Sequence, residues 1–105
     1  MPPRLKTHIR IAAHIRRAQM GGAFAAVVRR GDEDAGAVAV KVFAAGKAQV
    51  FTESRNDAGE PIWRDPLDGF VAEAEADAWL AKEIEFDQDL WILEIDDREG
   101  RGFLD

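Results

Sequence analysis

The 105-residue sequence has no cysteine and no tyrosine, and Ser54 is its single serine. Without thiols there is no disulfide framework, thiolate zinc site, iron–sulfur cluster or cysteine nucleophile. One serine and no tyrosine remove most other routes to covalent catalysis. Proline is scarce, at 4 residues, while 47% of the chain is hydrophobic and 32% charged. That balance belongs to a folded chain and not to a disordered one. No run approaches the roughly 20 consecutive apolar residues of a membrane-spanning helix. A signal-peptide core is missing too, because Ile9, Ile11 and Ile15 are interleaved with His8, Arg10 and His14, which breaks the required apolar stretch. A cytoplasmic location is the expectation that follows. Walker loop, dinucleotide fingerprint and G-x-S-x-G elbow are all absent.

What is present fits one α+β domain over residues 1–105, with a length sufficient to bury a real core. The net charge of −6 conceals a split between the halves. Residues 1–50 carry nine bases and three acids, and residues 51–105 carry five bases and seventeen acids. Two explanations fit: an anionic partner for the basic half, or neutralisation of one half by the other in the folded chain.

The spacing predicts a first helix over Leu5–Met20, stopped by Gly21-Gly22, since glycine favours the position just past a helix end. Leu5, Ile9, Ile11, Ala12, Ile15, Ala18 and Met20 fall on one broad side, and Lys6, Arg10, His14 and Arg17 gather opposite. Strand chemistry follows in Phe24–Val28, in Ala37–Phe43 with Val38, Val40 and Val42 on one face, and in Ala48–Glu53. Pro61–Arg64 reads as a short edge strand, with proline tolerated at its start. Val71–Phe86 reads as an acidic second helix with Ala72, Ala76, Trp79, Leu80 and Ile84 buried, and Leu90–Ile95 as a final strand buried on both sides. The expected architecture is α-β-β-β-(β)-α-β. It is an antiparallel sheet of four to five strands with both helices on one face.

Four stretches, in this order and spacing, carry a family resemblance: Arg29-Arg30-Gly31-Asp32 with Ala35-Gly36, Glu73-Ala74-Glu75-Ala76-Asp77, Phe86-Asp87-Gln88-Asp89-Leu90-Trp91, and Glu94-Ile95-Asp96-Asp97-Arg98. Together the chain resembles the bacterial family called domain of unknown function 1491. The resemblance implies a small bacterial domain and carries over no activity, cofactor or functional residue.

Three functional readings compete with bland ones. Lys6, Arg10 and Arg17, extended by Arg29 and Arg30, could line up on phosphates, or simply form a solvated helix face. The acidic total charge and the shortage of aromatics in this half count against nucleic acid. The same helix could lie on a membrane surface, but the core needs its apolar side, so no membrane partner is expected. Glu73 and Asp77 share a helix face, and Glu94 and Asp96 share a strand face. If those faces met, four carboxylates could hold Mg²⁺ or Mn²⁺ for phosphoester hydrolysis. The competing reading is helix-start and strand-end acids in water. His8 and His14 are six apart, the wrong spacing for a two-histidine metal site.

Trp63 and Arg64 stand on the presumed edge strand. Trp63 is either an exposed aromatic marking an interface, where tryptophan is enriched, or a lid on the core. Edge pairing between two copies would give a homodimer. The leading expectation is a non-enzymatic protein-interaction or regulatory module using Trp63, Arg64, Arg29 and Arg30, with no cofactor.

Overall fold

The computed structural model describes residues 5–105; Met1–Arg4, including one of the nine bases of the basic half, lie outside them. The first helix, α1 (Thr7–Met20), ends in a Schellman motif. Ala23 N–H donates to the Ala18 carbonyl and Gly22 N–H to that of Gln19. Gly22 sits at φ +90°, a conformation that calls for glycine. No side chain caps the other end. There the Thr7 and His8 N–H groups donate to the carbonyls of Asp34 and Glu33, so a distant loop satisfies the helix start.

Five strands follow before the second helix or within its approach: β1 (Phe24–Arg29), β2 (Val38–Ala44), β3 (Lys47–Arg55), β4 (Pro61–Arg64) and the two-residue β5 (Val71–Ala72). Then come α2 (Glu73–Phe86) and β6 (Trp91–Asp96). Val71 and Ala72, expected as helix, pair with Ala48 and Lys47 of β3, and the helix begins only at Glu73. The sheet order is β1-β6-β2-β3-β4, with β5 beside β3. Strand β6 lies antiparallel to β1 and parallel to β2.

The α+β class and element order are as expected, but two features of the arrangement differ. The sheet is mixed, because the chain returns to β6 through α2 and a helical crossover makes a parallel neighbour of β2. The helices also cover opposite faces. Ile11 and Ala18 of α1 pack with Val38, Val40, Val42, Trp91, Leu93 and Ile95. Ala76 and Leu80 of α2 pack with Ala39, Val50, Ile92 and Leu90 on the other side. The reason is in the strands themselves: β2 and β6 are apolar at consecutive positions, so both of their faces require cover.

The largest fully buried side chains, Trp91, Leu93, Ile95, Val40, Val42 and Val50, all come from β6, β2 and β3. Each such burial stabilises the fold by about 1.5–3 kcal/mol relative to exposure. Helix α1 supplies Thr7, Ile11, His14 and Ala18 to the interior, not the broad apolar side the sequence suggests. Ile9 and Met20 stay exposed on it, as does Leu5 ahead of it, and His14 moves from the basic side into the core.

Candidate functional site

The stretches that carry the family resemblance meet in two structural joints. At the first, the loop over residues 31–37 wraps the indole of Trp91, whose Nε1–H donates to the Asp32 carbonyl at 2.6 Å. A Cβ on Gly31 would fall 1.9 Å from the Asp89 carbonyl oxygen, and one on Gly36 would fall 2.5 Å from it. Only glycine fits there. Arg29 donates to the Leu90 carbonyl at 2.6 Å, and the Arg30 guanidinium stacks 5.1 Å from the Trp91 ring centroid. Two residues expected at an interface are thereby engaged in holding β6, although Arg30 remains largely exposed and pairs with Glu33 at 3.6 Å.

The second joint gathers the carboxylates. Lys41, 5% exposed, directs its ammonium to Glu73 at 2.7 Å and Asp77 at 2.8 Å. Glu94 stands beside it as its register partner on β6. Burial opposes the Lys41 charge, but Asp77, Glu73 and Glu94 outweigh it and raise its pKa above the ordinary lysine value. Of the four carboxylates that the metal reading would need, Glu73, Asp77 and Glu94 lie around Lys41, whose ammonium stands where a cation would, and Asp96 lies a further pleat along the strand. Among the described residues no group of three or more His, Asp or Glu side chains could hold a metal ion.

The basic side of α1 is also engaged from within. Arg10 makes a two-pronged contact with Glu53 at 2.6 and 3.3 Å, and Glu53 also accepts the Val38 N–H. Arg17 donates to the Phe103 carbonyl, and Lys6 lies 3.7 Å from Asp34. The phosphate-binding row of Lys6, Arg10 and Arg17 therefore has acceptors inside the fold. The halves neutralise one another directly at Arg10–Glu53 and around Lys41.

At the β4 edge, Trp63 is half-buried and packs on the core under the C-terminal segment. Its Nε1–H donates to Asp105 at 3.1 Å, and His14 meets its ring edge-on at 6.4 Å. His14 Nε2–H donates to the Gly102 carbonyl at 2.7 Å. Burial pushes the imidazole pKa down, and Arg17 and Arg10 add to that, against the Gly102 hydrogen bond and Asp105. Burial raises the Asp105 carboxyl, but Trp63 and the two arginines bring its pKa below the ordinary value. Trp63 is a lid on the core. Arg64 reaches across to Ser54 Oγ at 3.0 Å, and it is exposed.

The uncovered surface lies at the opposite edge. Phe24 is 72% exposed, Val28 54% and Met20 82%. Among the described residues β1 ends the sheet on this side, with no strand beyond it. The pairing is irregular between Val27 and Arg29, which places Val28 on a bulge. Beside Phe24 an open depression of about 690 Å³ is lined by Gly21, Gly22, Asp96, Asp97 and Arg101. Within it Arg101 grips the Asp97 carboxylate at 2.9 and 3.0 Å and holds its pKa down to about 2. The sequence reading points to the β4 edge, whereas the exposed large apolar side chains of the sheet edges lie on β1. Phe24 at the start of a strand, with glycines before it and alanines after it, was the available signal.

The model of the protein family described as protein of unknown function DUF1491 matches residues 5–105. The chain belongs to the DUF1491 family. A crystal structure of a DUF1491 protein from Caulobacter crescentus CB15 superposes with a TM-score of 0.91 at 45% identity, covering 96% of this chain and 95% of that one. A solution structure of a DUF1491 protein from the same organism gives 0.87 at 43% identity, covering 98% and 94%. A solution structure of an A. tumefaciens protein gives 0.82 at 32% identity, covering 97% and 93%. A search of curated proteins gives no match. The likeness to the DUF1491 structures extends over nearly the whole chain and brings no activity with it.

Proposed function

We propose that this DUF1491 chain is a non-enzymatic protein-interaction or regulatory module of the bacterial cytoplasm, and that its contact surface is the β1 edge. The observation that carries this reading is the concentration of exposed apolar side chains there. Phe24 and Val28 lie on the outermost strand, and each is more than half exposed. An unpaired edge strand is itself a template for another chain, and an exposed apolar surface marks contact sites. The residues expected from sequence to make the contact support it less well, since Trp63, Arg29 and Arg64 already have partners inside the chain.

A photo-crosslinking amino acid at position 24 tests the reading in a native bacterial lysate treated with nuclease. The expected result is a discrete, saturable protein adduct from position 24 and none from a control probe at Phe86, which is exposed on the far end of α2. Equal, smeared labelling from both positions would refute the β1 edge as a specific surface. An adduct of twice the chain's mass would identify a second copy as the occupant and support a homodimer.

A further inference from the structure

The two faces of the sheet are covered unequally, and this points to the kind of partner the β1 edge takes. A helix is about 10 Å across and strands lie about 4.8 Å apart, so one helix covers two to three strands. Helix α2 rests over β3 and β5, with Ala39 and Ile92 at the margin of its contact. On that face the register leaves the β6 and β1 members of two cross-strand rows beside it. One row is Phe43, Asp96 and Phe24; the next is Lys41, Glu94 and Ala26. Ala25 and Val27 face the α1 side, so Phe24 and Ala26 belong to the α2 side by the alternation of strand side chains. The shelf they form is one helix wide.

Its chemistry is apolar with an acidic border. Phe24 and Ala26 offer carbon, while Glu94 and Asp96 stand on the neighbouring strand and Glu73 and Asp77 on the flank of α2. Three carboxylates, Glu73, Asp77 and Glu94, gather around one ammonium, and Lys41 turns that ammonium to Glu73 and Asp77. Asp96 is left facing water beside Phe24. A complementary surface has apolar side chains at helical spacing, bordered by lysine or arginine. We propose that the shelf beside α2, built from Phe24, Ala26, Glu94 and Asp96, docks a cationic amphipathic helix of a partner protein. The helix would lie alongside α2 as a second member of that layer.

A second copy fits this site less well. Its own apolar and basic helix surface, Leu5, Ile9 and Met20 with Arg16, lies outside α1 in the opposite layer. Seating that surface on the shelf joins unlike faces, which produces an open chain of molecules and not a closed pair. The inference rests on the interaction reading above and deepens it.

The test is an NMR titration of the isotope-labelled chain with a synthetic leucine–lysine helix about four turns long. Two controls accompany it: the same peptide with glutamate for lysine, and a scrambled leucine–lysine peptide without amphipathic order. The proposal expects saturable shifts in the amides of residues 24–28 and 91–97 with the ordered cationic helix alone. Phe24→Ser and Asp96→Lys should each weaken binding by about tenfold, the scale of a contact worth about 1.4 kcal/mol. Equal shifts with the scrambled peptide would reduce the effect to attraction by an acidic protein and overturn the proposal. Shifts confined to the outer surface of α1 would overturn it, as would shifts of these amides on raising protein concentration with no peptide present. If the peptide fails while the position 24 adduct persists, the helical partner is wrong and the interaction reading stands. If both fail, both fall.

Discussion

The two edges of the sheet each carry one large aromatic residue, and their fates are opposite. At the β4 edge, Trp63 is roofed by the C-terminal segment, with Asp105 on its indole N–H and His14 against its ring. At the β1 edge, Phe24 has no roof and is 72% exposed. The strands do not explain the difference by composition, since the Trp63 strand is short and begins with proline, the usual marks of a protected outer edge. What differs is routing. The last residues of the chain pass over the α1 side, tied by His14 to Gly102, by Arg17 to Phe103 and by Trp63 to Asp105. Among the described residues, Phe24 on the α2 side of β1 has no such cover.

The comparison breaks most visibly if the two aromatics cost the same to remove. Trp63→Ala should destabilise the chain by about 2–3 kcal/mol, somewhat below the range for fully buried tryptophan because this one is half-buried. Equilibrium urea unfolding reads this directly. A cost under about 0.5 kcal/mol, the surface range, would mean that the roof is not closed in solution. Next in size is Arg10→Ala, which removes the paired contact to Glu53 at 14% side-chain exposure. The expected cost is about 1–2 kcal/mol, because two charge-assisted hydrogen bonds to a nearly buried carboxylate are lost. A double-mutant cycle with Glu53→Gln should show coupling, and additivity would place this pair among ordinary surface pairs.

The two ends should also separate by pH. His14 belongs to the β4 end, and its folded pKa lies below the ordinary 6.5. The unfolded chain therefore takes up a proton that the folded chain resists, and stability that is full above pH 6.5 falls as the pH drops below it. Asp97 belongs to the β1 end, with a folded pKa of about 2 against an ordinary 3.8. Its contribution is full above pH 3.8 and is lost as the pH falls towards 2. Melting temperature between pH 8 and pH 5 should decline in the parent chain and decline less in His14→Gln. An unchanged slope in that variant would show that the roof does not depend on a neutral imidazole.

These contrasts mark how far the sequence could be read. The valine alternation of β2 predicts its α1-side face correctly, and the acids at 73, 77 and 94 do converge. The same alternation conceals the second layer, because Ala39 and Lys41 look like an outward face until α2 is known to cover them. Lys41 is the clearest example. Nothing local distinguishes a lysine that points to water from one that supplies the cation for carboxylates 32 and 36 residues later. The same limit applies to His14 and Trp63, whose partners lie in residues 102–105. Those are long-range pairings, set by where the C-terminal segment is routed. Periodicity records which side of a strand or helix is apolar, but not which segment will come to lie on it.

The smallest expected effect is the most informative about the open edge. Phe24→Ser exchanges an aromatic ring already 72% in water for a small polar group. Little burial is lost, the cross-strand neighbour Asp96 is itself exposed, and the β1–β6 backbone pairing needs no ring. Stability should therefore change by no more than about 0.5 kcal/mol. Amide exchange within β1 should stay as slow as in the parent at its hydrogen-bonded positions, since the ladder to β6 is intact. A loss above about 1.5 kcal/mol would show that Phe24 is packed in solution, by this chain or by a second copy. In the second case the loss would shrink on dilution of the parent, because stability contributed by association depends on protein concentration. If Phe24 is removed at almost no cost to the fold, its ring has no structural task within the chain and is free for the contact proposed above.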